Sequence, residues 1–296
     1  MRRRPLLSFF VLANLLSWIV WAPLAVAGLG WTTERYPPYL HLVGGLGPLM
    51  AALIVTAVCA GRAGLARLIE TGWAVRGRLS WIVFAVVAPL LLLVASAAVL
   101  RVIGPGHVAW ADVGKSVEYP ALGRAAYAVA NVLFYGFGEE VGWRGFALPR
   151  LQARRSALTA ALFISGAWAV WHLPLFAFAG GLSSLGIGGV AGWLSSIVTG
   201  SILMTWLFNT SRGSVVAVAV FHGVLDIVMT SPSGGPLTFI MGAAVTIIGL
   251  LIPLAFGRRN LSRRPRVQES CETAPSRDER SFGTLAVVRA EPTLAD

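Results

Sequence analysis

Six ionisable side chains that could do chemistry lie within strongly apolar stretches of the chain. Burying such a group in an apolar environment is costly, so each one is a candidate functional residue. The set comprises three carboxylates, two imidazoles and one guanidinium: Glu139, Glu140, Asp226, His172, His222 and Arg144. Carboxylates and imidazoles can transfer protons, bind a metal ion or line an ion pathway. These residue types therefore favour an enzyme, a metal site or a transporter.

Helical spacing places several of these groups on shared faces. Glu140 and Arg144 are four residues apart, which suits an ion pair along one helix face. His222 and Asp226 have the same spacing. Glu139 is rotated by roughly 100° from its neighbour on a regular helix. The arginine can therefore hold one glutamate while the other faces a cavity.

The elements that carry these residues are predicted to be membrane-spanning helices. Of the 296 residues, 56% are hydrophobic and 12% charged, whereas soluble domains average about 25% charged residues. A spanning helix needs about 20 mostly apolar residues. The sequence therefore predicts an all-α, polytopic membrane protein with about eight transmembrane helices. The predicted spans are 6–29, 40–60, 79–103, 121–150, 157–178, 188–208, 213–231 and 236–257.

These spans place the reactive groups at similar depths. Glu139 and His172 lie on antiparallel spans, each roughly 20–25 Å from the turn near Arg154. His222 and Asp226 lie roughly 15 Å and 20 Å into the seventh span. The depths therefore match, while the sequence leaves open which helix faces converge.

Two features of the spans bear on packing around these groups. Four glycines near the two glutamates would let neighbouring helices approach closely: Gly136, Gly138, Gly142 and Gly145. Pro174 is predicted to kink the fifth span.

Charge is distributed asymmetrically between the predicted loops. The net charge is +11, and arginines concentrate in alternate connectors, which by the positive-inside rule places both termini in the cytoplasm. This topology accounts for most of the positive charge, so nucleic-acid binding is not favoured. The first span also resembles a secretory signal, but its apolar run is long and favours a retained helix. The arginine-rich segments are 2–4, 62–78, 150–155, 212 and 258–266.

The last 39 residues differ in composition from the rest. We predict one transmembrane domain over 1–257 and a basic, disordered cytoplasmic tail over 258–296. The arginines at the start of this tail are expected to contact anionic lipid headgroups.

Three short motifs resemble those of the CPBP family of intramembrane metalloproteases, which includes the type II CAAX prenyl endopeptidases. The motifs occur in the family's order, and each lies within a predicted span. They are Glu139-Glu140-Val-Gly-Trp-Arg144 (EExxxR), Trp168-Ala-Val-Trp-His172 (FxxxH, with Trp in place of Phe) and His222-Gly-Val-Leu-Asp226 (HxxxN/D). The resemblance covers residues 120–230 by motif and 1–257 by layout. It implies endopeptidase chemistry in a conical intramembrane cavity open to the cytoplasm.

The residues suit peptide hydrolysis independently of the resemblance. The reaction needs an activated water, a polarised carbonyl and a proton for the leaving amine. A carboxylate in an apolar site is a useful base near neutral pH. We assign Glu139 as this base and His172 as the partner that holds the attacking water. Glu140 and Arg144 are assigned to supporting the helix.

His222 and Asp226 are assigned to stabilising the oxyanion. An ionised aspartate only accepts hydrogen bonds, so Asp226 must be protonated, orient the His222 ring or bind a metal. The cofactor is left unknown: Glu139, His172, His222 and Asp226 could hold Zn²⁺ or another divalent metal with an activated water. The chain lacks HExxH, and both a metal-free and a metal-dependent mechanism remain open.

The predicted function is therefore an intramembrane endopeptidase acting on a membrane-anchored peptide or protein, with membrane lipids as its other partner. The family name suggests a prenylated CAAX-type substrate, while the composition favours a bacterial plasma membrane. Two alternatives stay open: a non-enzymatic bacteriocin-immunity or scaffold protein of the same fold, and an ion-coupled transporter.

Overall fold

The computed structural model describes residues 1–73, 78–104 and 107–269. This part of the chain is helical and contains no strand, as predicted. A composite helix, α5, joins several helical segments over 124–152. The helices are α1 (Pro5–Gly28), α2 (Tyr39–Gly44), α3 (Gly47–Trp73), α4 (Leu79–Ile103), α5 (124–152), α6 (Ala157–Trp171), α7 (Gly186–Thr210), α8 (Val215–Thr230) and α9 (Gly235–Phe256).

The helices have the length and composition of a polytopic membrane protein. Five helical stretches are long and apolar enough to cross a membrane: Pro5–Gly28, Tyr39–Glu70, Leu79–Ile103, Leu182–Thr210 and Gly235–Phe256. α6 and α8 are apolar but shorter, and α5 carries the two glutamates and Arg144. With α2 leading into α3, the described helices form eight units, of which α6 and α8 are the shorter ones. The protein is an integral membrane protein, in agreement with the predicted fold class.

Serine caps define where two of the helices that carry site residues begin. The Ser156 side chain accepts a hydrogen bond from the Thr159 backbone N–H (3.1 Å) at the start of α6. Ser214 does the same for Ala217 (3.2 Å) at the start of α8. Each cap satisfies a backbone donor that has no partner within its helix.

The fifth predicted span, 157–178, is too long. α6 ends at Trp171 and is followed by a 3-10 turn, Leu173–Phe176. Pro174 lacks the N–H that would continue the helical bonding pattern. The proline therefore follows the helix end instead of kinking a longer helix, and His172 caps the helix instead of lying inside it.

The connector predicted over 61–78 is also partly helical. α3 continues to Trp73, but its axis breaks at Gly61, whose φ is 61°. Only glycine adopts this left-handed conformation readily. A polar, arginine-containing helical segment thus follows the apolar part of α3.

α5 runs between α3 and α8 and has an unusual backbone. Two π-helical segments, Val132–Phe137 and Val141–Ala147, flank its central turn. Gly136 lies so close to α8 that an added Cβ would overlap the Ala219 carbonyl oxygen. At Gly142 an added Cβ would lie 2.6 Å from Pro48 on α3. The predicted close approach of neighbouring helices is confirmed at these positions.

The segment after α9 packs against the ends of other helices. The sequence instead predicts a disordered tail from residue 258 onwards. Gln152 and Asn209 exchange side-chain amide hydrogen bonds (3.1 and 2.8 Å). They also donate to the carbonyl oxygens of Val267 (2.7 Å) and Asn260 (2.9 Å), and Leu261 is fully buried. These anchors order residues 258–269. Residues 270–296, the rest of the predicted tail, lie outside the described residues.

Candidate active site

Glu140 lies at the centre of a fully buried charge cluster. Its Oε1 atom is 2.8 Å from Arg144 Nη1 and 2.9 Å from His222 Nδ1. The side chains of Glu140 and Arg144 are both 0% exposed. The predicted ion pair between these two residues is therefore present. It also includes an imidazole from α8, a contact that spacing within one helix could not reveal.

Arg144 is held from two further directions. Its Nη2 donates to Ser201 Oγ (3.3 Å), and that hydroxyl donates to the Ala161 carbonyl oxygen (2.9 Å). The guanidinium carbon lies 5.2 Å from the centre of the Trp168 ring, over its face. Sequence reasoning missed Ser201, because α7 carries several small polar residues and nothing in the pattern distinguishes this one.

Glu139 has a different environment from its neighbour. Its Oε2 accepts a hydrogen bond from the Trp168 indole Nε1 on α6 (2.7 Å). The residue is 4% exposed, and no cation of the described chain forms an ion pair with it. The carboxylate is thus held by a neutral donor and is not committed to a positive charge.

His172 occupies the end of α6 with a defined ring orientation. Its Nδ1 lies 2.7 Å from the Trp168 backbone oxygen. A carbonyl oxygen only accepts hydrogen bonds, so Nδ1 carries the proton in this contact. The neutral ring then presents an unprotonated Nε2. The rings of Trp171 and Trp193 lie 4.8 Å and 5.6 Å from the imidazole centre.

Asp226 lies one helical turn beyond His222 on α8 and faces a different partner. Its Oδ2 accepts a hydrogen bond from Asn131 Nδ2 (3.0 Å). The same amide group also donates to the Tyr127 hydroxyl (3.2 Å). Since His222 Nδ1 contacts Glu140, an interaction that orients this ring from Asp226 would have to use the other ring nitrogen, and that alternative stays a prediction. Asn131 was missed, although an asparagine within an apolar span is itself a signal.

The Trp168 ring connects the groups from three helices. Glu139 bonds to its N–H, while the imidazoles of His172 and His222 lie 5.6 Å and 5.4 Å from the ring, centre to centre. The matched depths could only suggest that α5, α6 and α8 converge. In the structure, side chains from these three helices do meet at the Trp168 ring. Asp226 lies at the edge of this group.

The four residues considered as metal ligands do not form a coordination sphere in this arrangement. Across 1–73, 78–104 and 107–269, no group of three or more His, Cys, Asp or Glu side chains is placed to hold a metal ion. The Nδ1 atom of His172 is bonded to a backbone carbonyl, and Asp226 is bonded to Asn131. The donor set therefore does not fit a metal as it stands, and metal dependence stays a prediction.

An apolar cavity of about 310 Å³ lies apart from the polar site. It is bounded by α4, α7, α8 and α9, with Phe84, Trp206 and Phe221 among its lining residues. None of the six predicted residues lines it. The conical cavity implied by the resemblance is a different feature and stays a prediction.

The segment that carries this site is similar in sequence to known proteins. Residues 121–228 match the model of a family described as type II CAAX prenyl endopeptidase Rce1-like. This segment is Rce1-like. It contains α5 to α7 and nearly all of α8, and all three motifs lie within it. The predicted family resemblance is confirmed over this part of the chain.

A curated relative shares part of this sequence. CAAX prenyl protease 2 of Methanococcus maripaludis is 31% identical over 94 residues, which are 30% of this chain and 34% of that protein. The match thus spans about a third of the relative's length. The Rce1-like segment relates the protein to membrane proteases, and the reaction itself has to be argued from the site.

Proposed function

We propose that the protein is an intramembrane endopeptidase in which Glu139 is the general base. The observation that carries this proposal is the contrast between two adjacent glutamates. Arg144 and His222 compensate the charge of Glu140, whereas Glu139 meets the neutral indole N–H of Trp168, a ring that also packs against His172. Only the second carboxylate is available to accept a proton without breaking a buried ion pair.

In the proposed reaction, the Glu139 carboxylate takes one proton from a water molecule. The water oxygen bonds to the carbonyl carbon of the scissile peptide, the carbon–nitrogen bond then breaks, and Glu139 returns the proton to the leaving amine. His172 Nε2 accepts a hydrogen bond from the same water, because Nδ1 is bonded to the Trp168 carbonyl. One residue thus serves as base and then as acid.

The remaining groups are proposed to stabilise charge. Paired with Glu140, the His222 ring can carry a positive charge and donate its Nε2 proton to the oxyanion. Asp226 and Asn131 form a polar pair next to this position. Arg144 keeps Glu140 and α5 in place.

The proposed substrate is a peptide or protein anchored in the membrane near its cleavage site. A site within transmembrane helices favours such a substrate, and the name of the archaeal relative suggests a prenylated CAAX-type sequence. We further propose that both termini face the cytoplasm, following the arginine distribution, and that the host membrane is a bacterial plasma membrane.

The test is cleavage by purified protein in liposomes of fluorogenic peptides with a farnesylated or acylated C-terminal cysteine. Glu139→Gln should abolish turnover while size-exclusion behaviour and thermal stability stay at wild-type values. Glu118→Gln, a change in a loop carboxylate that pairs with His41 (2.9 Å), is the matched control and should cleave normally.

Undiminished turnover in Glu139→Gln would overturn the assignment of the base. Absence of cleavage of every tethered peptide by wild-type protein, together with ion flux in the same liposomes, would overturn the endopeptidase proposal in favour of transport.

A further inference from the structure

Trp168 contacts the site through both its side chain and its backbone. The indole N–H donates to Glu139 Oε2 (2.7 Å), and the backbone carbonyl accepts from His172 Nδ1 (2.7 Å). The residue is 5% exposed. A single position on α6 therefore orients both groups that the proposed reaction places around the attacking water.

The ring also contacts the guanidinium of Arg144, through its face rather than its edge. Arg144 packs over the face of the indole at 5.2 Å, while Glu139 is bonded at its N–H edge. An indole offers a polar edge and an apolar face at once. A phenylalanine would keep the apolar face but would have no donor for the carboxylate.

We infer that Trp168 is a positioning residue that fixes the orientation of the Glu139 carboxylate through its indole N–H. Without the indole N–H, the carboxylate loses this hydrogen bond and with it the fixed orientation in which it would face the attacking water. This inference rests on the proposed function for its effect on turnover. The hydrogen bond itself can be tested independently.

The kinetic test is Trp168→Phe in the liposome assay. Loss of a hydrogen bond to a charged group should lower kcat by about tenfold to a hundredfold. KM should change little, because no substrate contact is removed, and the melting temperature should stay within a few degrees of wild type. Trp193→Phe is the matched control: Trp193 also packs against His172, at 5.6 Å. It should retain kcat within about threefold, since that ring holds no site carboxylate.

A wild-type kcat in Trp168→Phe, or equal losses in both variants, would overturn the inference. The inference would also be overturned if Trp168→Phe lost stability in proportion to activity, because Trp168 would then act only through packing.

A second measurement does not need catalysis. The indole ¹⁵N–¹H resonance of Trp168 can be assigned in detergent micelles by its disappearance in Trp168→Phe. Glu139→Gln should move this resonance, because a neutral oxygen is a weaker acceptor than a carboxylate, while Glu118→Gln should leave it in place. If the position of this resonance is unchanged in Glu139→Gln, the inference is overturned even if the protein is a protease. If the resonance shifts but the protein cleaves no peptide, the hydrogen bond between Trp168 and Glu139 is supported and only the proposed function is overturned.

Discussion

Glu139 and Glu140 are adjacent on α5, yet the helix directs them into two regions with different physical chemistry. Towards α8, Glu140 forms a buried cluster with Arg144 and His222. Towards α6, Glu139 bonds to the Trp168 indole, whose ring also packs against His172. The first region compensates its charges within the protein, whereas the second leaves a carboxylate able to exchange a proton.

This contrast shows how a membrane-embedded site can combine rigidity with reactivity. A buried ion pair is costly to separate, so the groups in it are poor proton acceptors but good structural ties. A carboxylate bonded only to a neutral donor has the opposite properties. The two π-helical segments on either side of the glutamates fit this division, since such segments are often found at functional sites.

The largest expected effect comes from disrupting the Glu140 charge cluster, which faces α8. Arg144→Met removes the cation and leaves Glu140 buried without it, which should cost about 3–5 kcal/mol of unfolding free energy. Reversible unfolding in mixed SDS and dodecylmaltoside micelles measures this loss. Activity should fall in parallel, because α5 would no longer be tied to α7 through Ser201.

The double variant Glu140→Gln/Arg144→Met separates charge from packing. It should recover a substantial part of the lost stability, because no uncompensated carboxylate remains. If Arg144→Met alone unfolds like the wild type, the cluster is not a structural tie and the contrast between the two glutamates fails.

A smaller effect is expected from moving α8 away from α5. In Gly136→Ala the new methyl group overlaps the Ala219 carbonyl oxygen, so the helices must separate. Overpacking of this kind costs about 1–3 kcal/mol. Because His222 reaches Glu140 across this interface, catalysis should also weaken. Unfolding in mixed micelles and the cleavage assay measure the two effects.

Gly166→Ala on α6 is the control for helix propensity. Nothing lies within 4 Å of an added Cβ at this position, so the change should be neutral or stabilising by up to about 1 kcal/mol. Equal effects of the two alanine substitutions would mean that close approach at Gly136 is unimportant.

The sequence predicted those parts of the site that depend on spacing within one helix. The contact between Glu140 and Arg144 follows from a separation of four residues, whereas the matched membrane depths of Glu139 and His172 stay a prediction. The apolar runs likewise predicted most helix boundaries to within a few residues.

Contacts between helices could not be predicted in the same way, because they depend on how each helix is rotated about its axis. That rotation is set by packing, including the glycine contacts and the π-helical turns of α5. The bond from Trp168 to Glu139 and the pairing of Asn131 with Asp226 therefore appear only in three dimensions. The ordered segment after α9 is a similar case, since its anchors, Gln152 and Asn209, lie far away in sequence.

The smallest effect is expected at the edge of the site, from Asp226→Asn. Asn131 donates to Asp226 Oδ2, and the new amide oxygen can accept the same hydrogen bond, while its NH₂ group adds a donor for the oxyanion. Turnover should change by about threefold or less, which corresponds to less than 1 kcal/mol. The liposome cleavage assay measures this change.

Asp226→Leu is the matched comparison, because it removes every acceptor and leaves the Asn131 amide short of a partner. An unsatisfied buried donor costs about 1–3 kcal/mol, and turnover should fall accordingly. If Asp226→Asn is as damaging as Asp226→Leu, position 226 must supply negative charge. Asp226 would then act as an ionised carboxylate, the state expected of a metal ligand, and metal titration of both variants would decide between a metal and a purely electrostatic role.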